Sequence, residues 1–280
     1  RNIESNGTWE GEIWNCRKGG DAYPAHLNVT EVKDSTNRVI NYVCTFIDIT
    51  KSKAAVEQIR NLAFYDPLTQ LPNRRLLMNH LDRVLRANER SNNFGALLFI
   101  DLDHFKLLND TLGHNIGDIL LKQVAKRLTS CVRAGDTVAR IGGDEFVILL
   151  QDLSCDSLFA AMQTEKIGHK ILDSLNQTYR LDSHNYYNSA SIGATIFHGN
   201  ELKVDDLLKH ADIAMYDAKH AGRNGLRFFD PVMQEAINLR AETVKDLRLA
   251  VNRKDFMLYY QVQVSSAGHP IGAEVLIRWN

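Results

Sequence analysis

Residues 137–141 and 145–150 are two short runs rich in β-branched and apolar side chains, and only Gly142, Gly143 and Asp144 stand between them. Parallel strands need a crossover of a dozen or more residues, so a gap this short allows only an antiparallel hairpin. Glycines at its tip accept positive φ and let another group approach the backbone closely. Two acids, Asp144 and Glu145, leave the turn together. Taken alone, the two glycines say no more than a plain hairpin.

A second acidic element lies upstream. Residues 96–100 form an apolar strand that runs into Asp101-Leu102-Asp103. The two-residue period of a strand predicts Asp101 and Asp103 on one face. Carboxylates at a strand end can hold Mg²⁺ while substrate phosphates supply further oxygens, although a merely polar strand end is the plain alternative. If this strand neighbours the hairpin, the carboxylates converge, which suits two-metal phosphoryl or nucleotidyl transfer. A third cluster, Lys219-His220-Ala221-Gly222-Arg223-Asn224, closes a helix. Lys219 and Arg223 share a face and can grip β- and γ-phosphates. Basic groups answering a helix C-terminus before a glycine stop are the simpler reading.

Between these clusters the periodicity alternates. Helices are expected at residues 74–88, 116–134, 158–175 and 204–221, and a strand at 190–196. The fold class predicted for residues 66–230 is α+β, a mostly antiparallel sheet flanked by helices. Residues 1–48 read as short antiparallel strands, too few to close a core, and look cut at the N-terminus. Residues 49–65 turn helical, with Asp48 or Thr50 as cap. Val56 and Ala63 continue a seven-residue spacing from Ile49, which fits either an amphipathic helix or a coiled-coil linker that pairs two chains. Residues 231–280 open another unit, a helix at 231–253 and strands at 257–263 and 272–277.

Bulk properties limit the options. The 280 residues suffice for about two domains, and a net charge of −1 gives no global field for a nucleic-acid polymer. Cys16, Cys44, Cys131 and Cys155 form no CxxC pair, which points to a reducing compartment and away from zinc. No apolar run approaches the ~20 residues of a membrane helix. The segment is therefore expected in the cytoplasm. Because it begins at Arg1 rather than Met, a longer parent protein is expected, and membrane anchoring of that parent stays open.

The ordered motifs Asp66-Pro67-Leu68-Thr69, Leu71-Pro72-Asn73-Arg74, Asp101-Leu102-Asp103-His104-Phe105-Lys106, Asn109-Asp110, Gly113-His114-Asn115-Ile116-Gly117-Asp118, Gly142-Gly143-Asp144-Glu145-Phe146, Ser191-Ile192-Gly193 and Ala211-Asp212-Ile213-Ala214-Met215-Tyr216 resemble the GGDEF family of diguanylate cyclases. The resemblance covers about 165 residues, near 62 to 230. It implies a nucleotidyl-cyclase or polymerase-palm-like fold that condenses two GTP into cyclic di-GMP and releases two pyrophosphates, in bacterial second-messenger signalling. It implies Mg²⁺ or Mn²⁺ held by Asp101 and Asp144, with the Leu102 carbonyl and Glu145 assisting. Asp144 is also the candidate base, and Glu145 shares the catalytic position. His104 and Phe105 through their backbone, with Lys106, Lys219 and Arg223, would hold the triphosphate, which Gly142 and Gly143 let approach. Asn109 and Asp118 would read guanine; a carboxylate accepts from N1–H and N2–H, donors that adenine does not offer together. Such domains act as a homodimer, each half presenting one GTP.

Arg133-Ala134-Gly135-Asp136 precedes the hairpin. The resemblance makes Arg133 and Asp136 an inhibitory site for the product cyclic di-GMP, an arginine stacking on guanine and an aspartate accepting from it. A helix stop with a surface ion pair is the alternative. Residues 1–48 resemble the C-terminal part of a PAS sensor domain. Residues 231–280, with Glu274-Val275-Leu276, resemble the start of an EAL phosphodiesterase barrel, with Val275 where that family's signature has alanine. The competing functional expectation is a catalytically silent module that binds GTP or cyclic di-GMP and controls an attached EAL phosphodiesterase. A template-dependent polymerase-like transferase shares the two-metal logic but would need a basic surface.

Overall fold

The computed structural model describes residues 6–182, 184–199, 202–253, 255–266 and 269–279. They divide into two compact units, Arg1–Pro67 and Leu68–Asn280.

In the first unit, β1 (Thr8–Cys16), β2 (Ala22–Lys33) and β3 (Val39–Asp48) form an antiparallel sheet in the order β1-β2-β3. The helix α1 (Thr50–Phe64) follows without a buried residue. Its N-cap position is Ile49, which has no capping side chain; Asp48 does accept from the Thr50 N–H at 3.0 Å, one residue outside the expected cap geometry. Val56, Ile59 and Leu62 stand exposed on α1.

The second unit is built on the sheet β10-β9-β4-β6-β5. Its members are β4 (Phe94–Leu102), β5 (Thr137–Gly142), β6 (Glu145–Leu150), β9 (Ala190–His198) and β10 (Gly225–Phe228). Every pairing is antiparallel except β9 with β10, which is parallel across an intervening helix. Alternate residues of β4 and β6 serve different cores. Leu98, Ile100, Phe146 and Ile148 pack with α4 (His114–Cys131) and α5 (Ser157–Leu175). Leu97, Phe99, Val147 and Leu149 pack with α2 (Arg74–Ser91) and α6 (Val204–His220). Burial on both faces explains why these strands read as unbroken apolar runs although their partners are antiparallel.

Two local choices place α6. Gly193 on β9 has no room for a side chain: a Cβ would lie 2.0 Å from the Ala211 carbonyl oxygen and 2.1 Å from the Met215 nitrogen. The helix backbone therefore rests directly on the strand. α6 then ends at His220, with Ala221 as C-cap and Gly222 at φ +113°.

Three parts were not expected from the sequence: the short helix α3 (Phe105–Leu112) directly after β4, the small hairpin β7 (Tyr179–Leu181) with β8 (His184–Tyr186), and the four-residue strand β10. Helix α4 runs earlier than expected, starting at His114 and ending at Cys131. Finally, α7 (Pro231–Arg253) docks through Ile237 on the α4–α5 core, and β11 (Phe256–Val264) pairs antiparallel with β12 (Pro270–Trp279) as a largely exposed two-stranded ribbon.

Candidate active site at one edge of the sheet

The β5–β6 hairpin and the end of β4 meet at a single sheet edge. The β4–β6 ladder ends with Asp101 opposite Glu145, and the Leu102 N–H points to the Asp144 carbonyl at 3.4 Å. Gly143 adopts φ +47°, and a Cβ at Gly142 or Gly143 would meet nothing within 4 Å. The tip is thus open to an approaching group. Arg140 braces it from below, donating from Nε (3.1 Å) and Nη2 (2.7 Å) to the Gly143 carbonyl. The bulge between Arg140 and Gly142 turns the tip out of the regular ladder.

The acids at this edge are crowded. The Asp101 side chain is 11% exposed and pairs with Lys219 Nζ at 2.8 Å. Burial raises the Asp101 carboxyl above its ordinary value; Lys219 opposes this, while the charges of Asp144 and Asp103 add to it. Glu145 is likewise raised, first by burial and then by the charges of Asp101, Asp144 and Asp212. Among the described residues, no group of three or more His, Cys, Asp or Glu side chains is gathered closely enough to hold a metal ion. The donor chemistry nevertheless fits a hard divalent cation: Asp101, Asp144, Glu145 and the Leu102 carbonyl offer only oxygen, and mutually repelling, partly desolvated carboxylates are stabilised by positive charge. In the structure that charge comes from Lys219.

Asp103 lies on the same face as Asp101 but is bonded to other partners. It lies past the end of β4, is 3% exposed, and accepts from Ser189 Oγ, Ser191 Oγ and the Asn224 N–H. The expectation that Asp101 and Asp103 share a face holds: the β4–β9 register runs on through the Asp103 N–H to the Ser189 carbonyl, and Asp103 bonds Ser191, the residue opposite Asp101. Its carboxylate, however, is taken up by protein donors.

Next along the chain, His104 at φ +59° is the N-cap of α3 and supplies no side-chain cap. The first N–H groups of α3 therefore lack an intrahelical partner and favour an anion. Phe105 is buried in the core, and Lys106 is exposed. Across the edge, Arg223 is exposed in the left-handed turn after α6. Asn109 on α3 packs against Gly117 on α4, where a Cβ would lie 2.0 Å from Asn109 Oδ1. That oxygen is buried without a hydrogen-bond partner, and Asp118 follows on the exposed side of α4. The packing of α3 on α4 thus brings Asn109 and Asp118 into one neighbourhood.

Arg133 and Asp136 form a separate site, away from the β4 edge. The Asp136 side chain is 2% exposed; its carboxylate accepts from the Arg133 N–H (3.2 Å), Arg133 Nε (3.4 Å) and the Gln151 N–H (3.3 Å). Arg133 also reaches the Gln151 carbonyl. Two cavities flank the pair, of about 580 Å³ towards Lys166 and Lys170 and about 360 Å³ towards His80 and Arg83.

The sequence reading missed Asp103 as a buried anchor and Arg140 as a brace. Gly193 was noticed only as part of a motif, although a glycine inside a strand is itself a signal of close backbone approach.

Residues 63–225 match the family described as diguanylate cyclase, GGDEF domain, and residues 1–51 match a PAS domain. The bifunctional diguanylate cyclase/cyclic di-GMP phosphodiesterase MucR of Pseudomonas aeruginosa is 40% identical over 236 residues, covering 84% of this chain and 34% of MucR. The cyclic di-GMP phosphodiesterase PdeR of Escherichia coli is 31% identical, covering 99% of this chain and 41% of PdeR. The chain thus spans well under half the length of these relatives. Among solved structures, the isolated GGDEF domain of TpbB (YfiN) from Pseudomonas aeruginosa aligns with a TM-score of 0.56 at 36% identity, covering 62% of this chain and 99% of that one. The coiled coil and GGDEF domain of DgcB from Caulobacter crescentus, in complex with c-di-GMP, aligns with a TM-score of 0.55 at 27% identity, covering 64% of this chain and 93% of that one.

Proposed function

Since the chain belongs to the GGDEF family of diguanylate cyclases, we propose that residues 66–230 condense two GTP into cyclic di-GMP with release of two pyrophosphates. The observation that carries this reading is the meeting of Asp101, the Asp144–Glu145 hairpin and Lys219 at one open sheet edge.

In this reading Asp144 accepts the proton of the attacking 3′-hydroxyl, from a tip with space for a nucleotide on its outer side. His104 and Phe105 offer backbone N–H groups to the triphosphate. Lys106, Lys219 and Arg223 supply its counter-charge, Lys219 exchanging Asp101 for phosphate oxygens. Gly142 and Gly143 let the phosphates reach the backbone. Asp118 accepts from guanine N1–H and N2–H, and Asn109 adds a polar group that the protein leaves unpaired. A divalent cation, Mg²⁺ or Mn²⁺, held by Asp101, Asp144, Glu145 and the Leu102 carbonyl, would neutralise charge on the phosphate oxygens. One edge holds one GTP, so ring closure requires a homodimer in which the 3′-oxygen of the GTP on each subunit attacks the α-phosphate of the GTP on the other and displaces its pyrophosphate.

We assign residues 1–48 to the C-terminal part of a PAS sensor domain, 49–65 to a linker helix that couples the dimer, and 231–280 to the start of an EAL domain. Arg133 and Asp136 are assigned to product inhibition by cyclic di-GMP. No described helix is long and apolar enough to cross a membrane; a cytoplasmic site of action is part of the proposal.

The test is incubation of the purified chain with GTP and Mg²⁺, with nucleotides separated by chromatography and Asp144→Ala as control. Cyclic di-GMP formed by the wild type and lost in the control is expected. GTP left intact by a folded dimer would overturn the reading in favour of a silent regulatory module. The likeness to PdeR over 99% of this chain supports that second reading.

A further inference from the structure

Asp103 has no part in the mechanism above, yet it is among the most heavily bonded side chains of the unit. Its carboxylate accepts from Ser189 Oγ at 2.6 Å, Ser191 Oγ at 2.8 Å and the Asn224 N–H at 3.2 Å. Its own N–H donates to the Ser189 carbonyl at 2.9 Å, and that carbonyl also accepts from Asn188 Nδ2 at 2.6 Å. At 3% exposure such a group is costly unless its acceptor sites are filled.

The donors lie far apart in sequence. Ser191 lies at the start of β9 and Ser189 just before it, whereas Asn224 follows Arg223 in the turn after α6. Arg223 (φ +62°) and Asn224 (φ +46°) are consecutive non-glycine residues in the left-handed region. Such a conformation is strained and persists only where its surroundings enforce it. The turn is tied by the Arg223 N–H to the Ala218 carbonyl (3.1 Å), by Asn176 Nδ2 to Asn224 Oδ1 (3.0 Å), and by Asp103. On its other side Asp103 is followed at once by His104, the N-cap of α3.

We propose that Asp103 is a positioning residue: it clamps the Arg223–Asn224 turn to the N-terminus of α3 and so sets the distance between the two groups that hold the triphosphate. This rests on the phosphate roles given to Lys219, Arg223 and α3 under Proposed function. The geometry calls for an acceptor at the Oδ2 position. Oδ2 serves both Ser189 and Asn224, and a backbone N–H can only donate. Asp103→Asn can keep that acceptor, its oxygen taking the Oδ2 place and its NH₂ donating to the Ser191 hydroxyl, whereas Asp103→Ala removes the acceptor altogether.

The test uses the full chain in Mg²⁺ with two probes that cannot react because they lack the attacking hydroxyl. Binding of 3′-deoxy-GTP is measured by calorimetry, and binding of 3′-deoxyguanosine by ligand-observed NMR. In Asp103→Ala the triphosphate is expected to bind about tenfold more weakly, the size of one lost hydrogen bond to a charged group, with the nucleoside affected less than about twofold, and Asp103→Asn is expected to restore most of the loss. The double variant Ser189→Ala/Ser191→Ala removes two donors that aim the carboxylate and should show the same selective loss; it decides the matter if Asp103→Ala does not fold. Equal weakening of both probes, or unchanged 3′-deoxy-GTP affinity in folded Asp103→Ala or the folded double variant, would overturn the proposal. If the wild-type chain bound both probes equally, the phosphate roles of Lys219 and Arg223 would fall first, and the clamp with them.

Discussion

Lys219 Nζ and Asp101 Oδ2 lie 2.8 Å apart, joining the last turn of α6 to the end of β4. The ammonium lowers the cost of a carboxylate that burial and neighbouring acids would otherwise push towards its neutral form. Lys219→Met is therefore expected to destabilise the metal-free chain by only about 1–2 kcal/mol, since protonation of Asp101 relieves part of the loss. Its effect on catalysis should be larger, with KM for GTP raised about tenfold or more through loss of a charged phosphate contact. Denaturant titration and initial-rate kinetics on the same preparation check both.

Asp101 and Glu145 also predict a pH signature. Both carboxyls are raised in the folded chain above their ordinary values of 3.8 and 4.5. A raised folded pKa means that the native state binds more protons than the unfolded one. The contribution of these groups to stability is thus present below 3.8 and 4.5 and is lost as pH rises through the folded values. In chelator, Asp101→Asn/Glu145→Gln should match the wild type at low pH and melt higher at neutral pH. Added Mg²⁺ should raise the Tm of the wild type at neutral pH and leave the double variant unmoved. A wild type that gains stability relative to the variant as pH rises would contradict the burial argument.

At Gly193 even one methyl group is too many. With α6 backbone atoms 2.0 and 2.1 Å from the position of a Cβ, Gly193→Ala must push the helix off β9. An expected cost of about 1–3 kcal/mol follows from overpacking. Lys219 sits on that helix, so activity in the folded fraction should fall as well. Thermal melts, with rates normalised to folded protein, test the two together.

Arg133 and Asp136 should separate on mutation. Arg133 is 56% exposed and Asp136 is 2% exposed. Arg133→Ala is expected to leave the melting temperature nearly unchanged and to weaken inhibition by added cyclic di-GMP about tenfold or more. Asp136→Ala should do the same to inhibition, but also destabilise the fold by about 1–2 kcal/mol, because it strands the half-buried Gln151 N–H. Inhibition curves and melts on both variants are the measurement.

Much of this architecture can be read from the sequence, for identifiable reasons. The β5–β6 hairpin follows from a gap too short for any other connection, and α5 and α6 from apolar positions repeating at helical spacing. What escaped reading depends on long-range partners or short length. Helix α3 has only eight residues and starts from a left-handed His104 without a capping side chain. β10 is four residues long and exists through parallel pairing with β9. At the site, the acids at 101, 144 and 145 were visible as residue types, but their meeting depends on β4 lying beside β6, which no local pattern states. Strand period predicts Asp103 on the face of Asp101, where it lies, but not what it bonds to. Its actual partners lie 86, 88 and 121 residues away, beyond the reach of any spacing rule.

The apolar faces of β4 and β6 are sealed by helices on both sides, while the Gly142–Gly143 tip touches no core atom. Folding and chemistry therefore draw on different residues. A descendant of this chain that exchanged its hairpin acids would keep its core and its shape. In such a lineage the passage from enzyme to receptor is a matter of two or three side chains, and it passes through no unfolded ancestor.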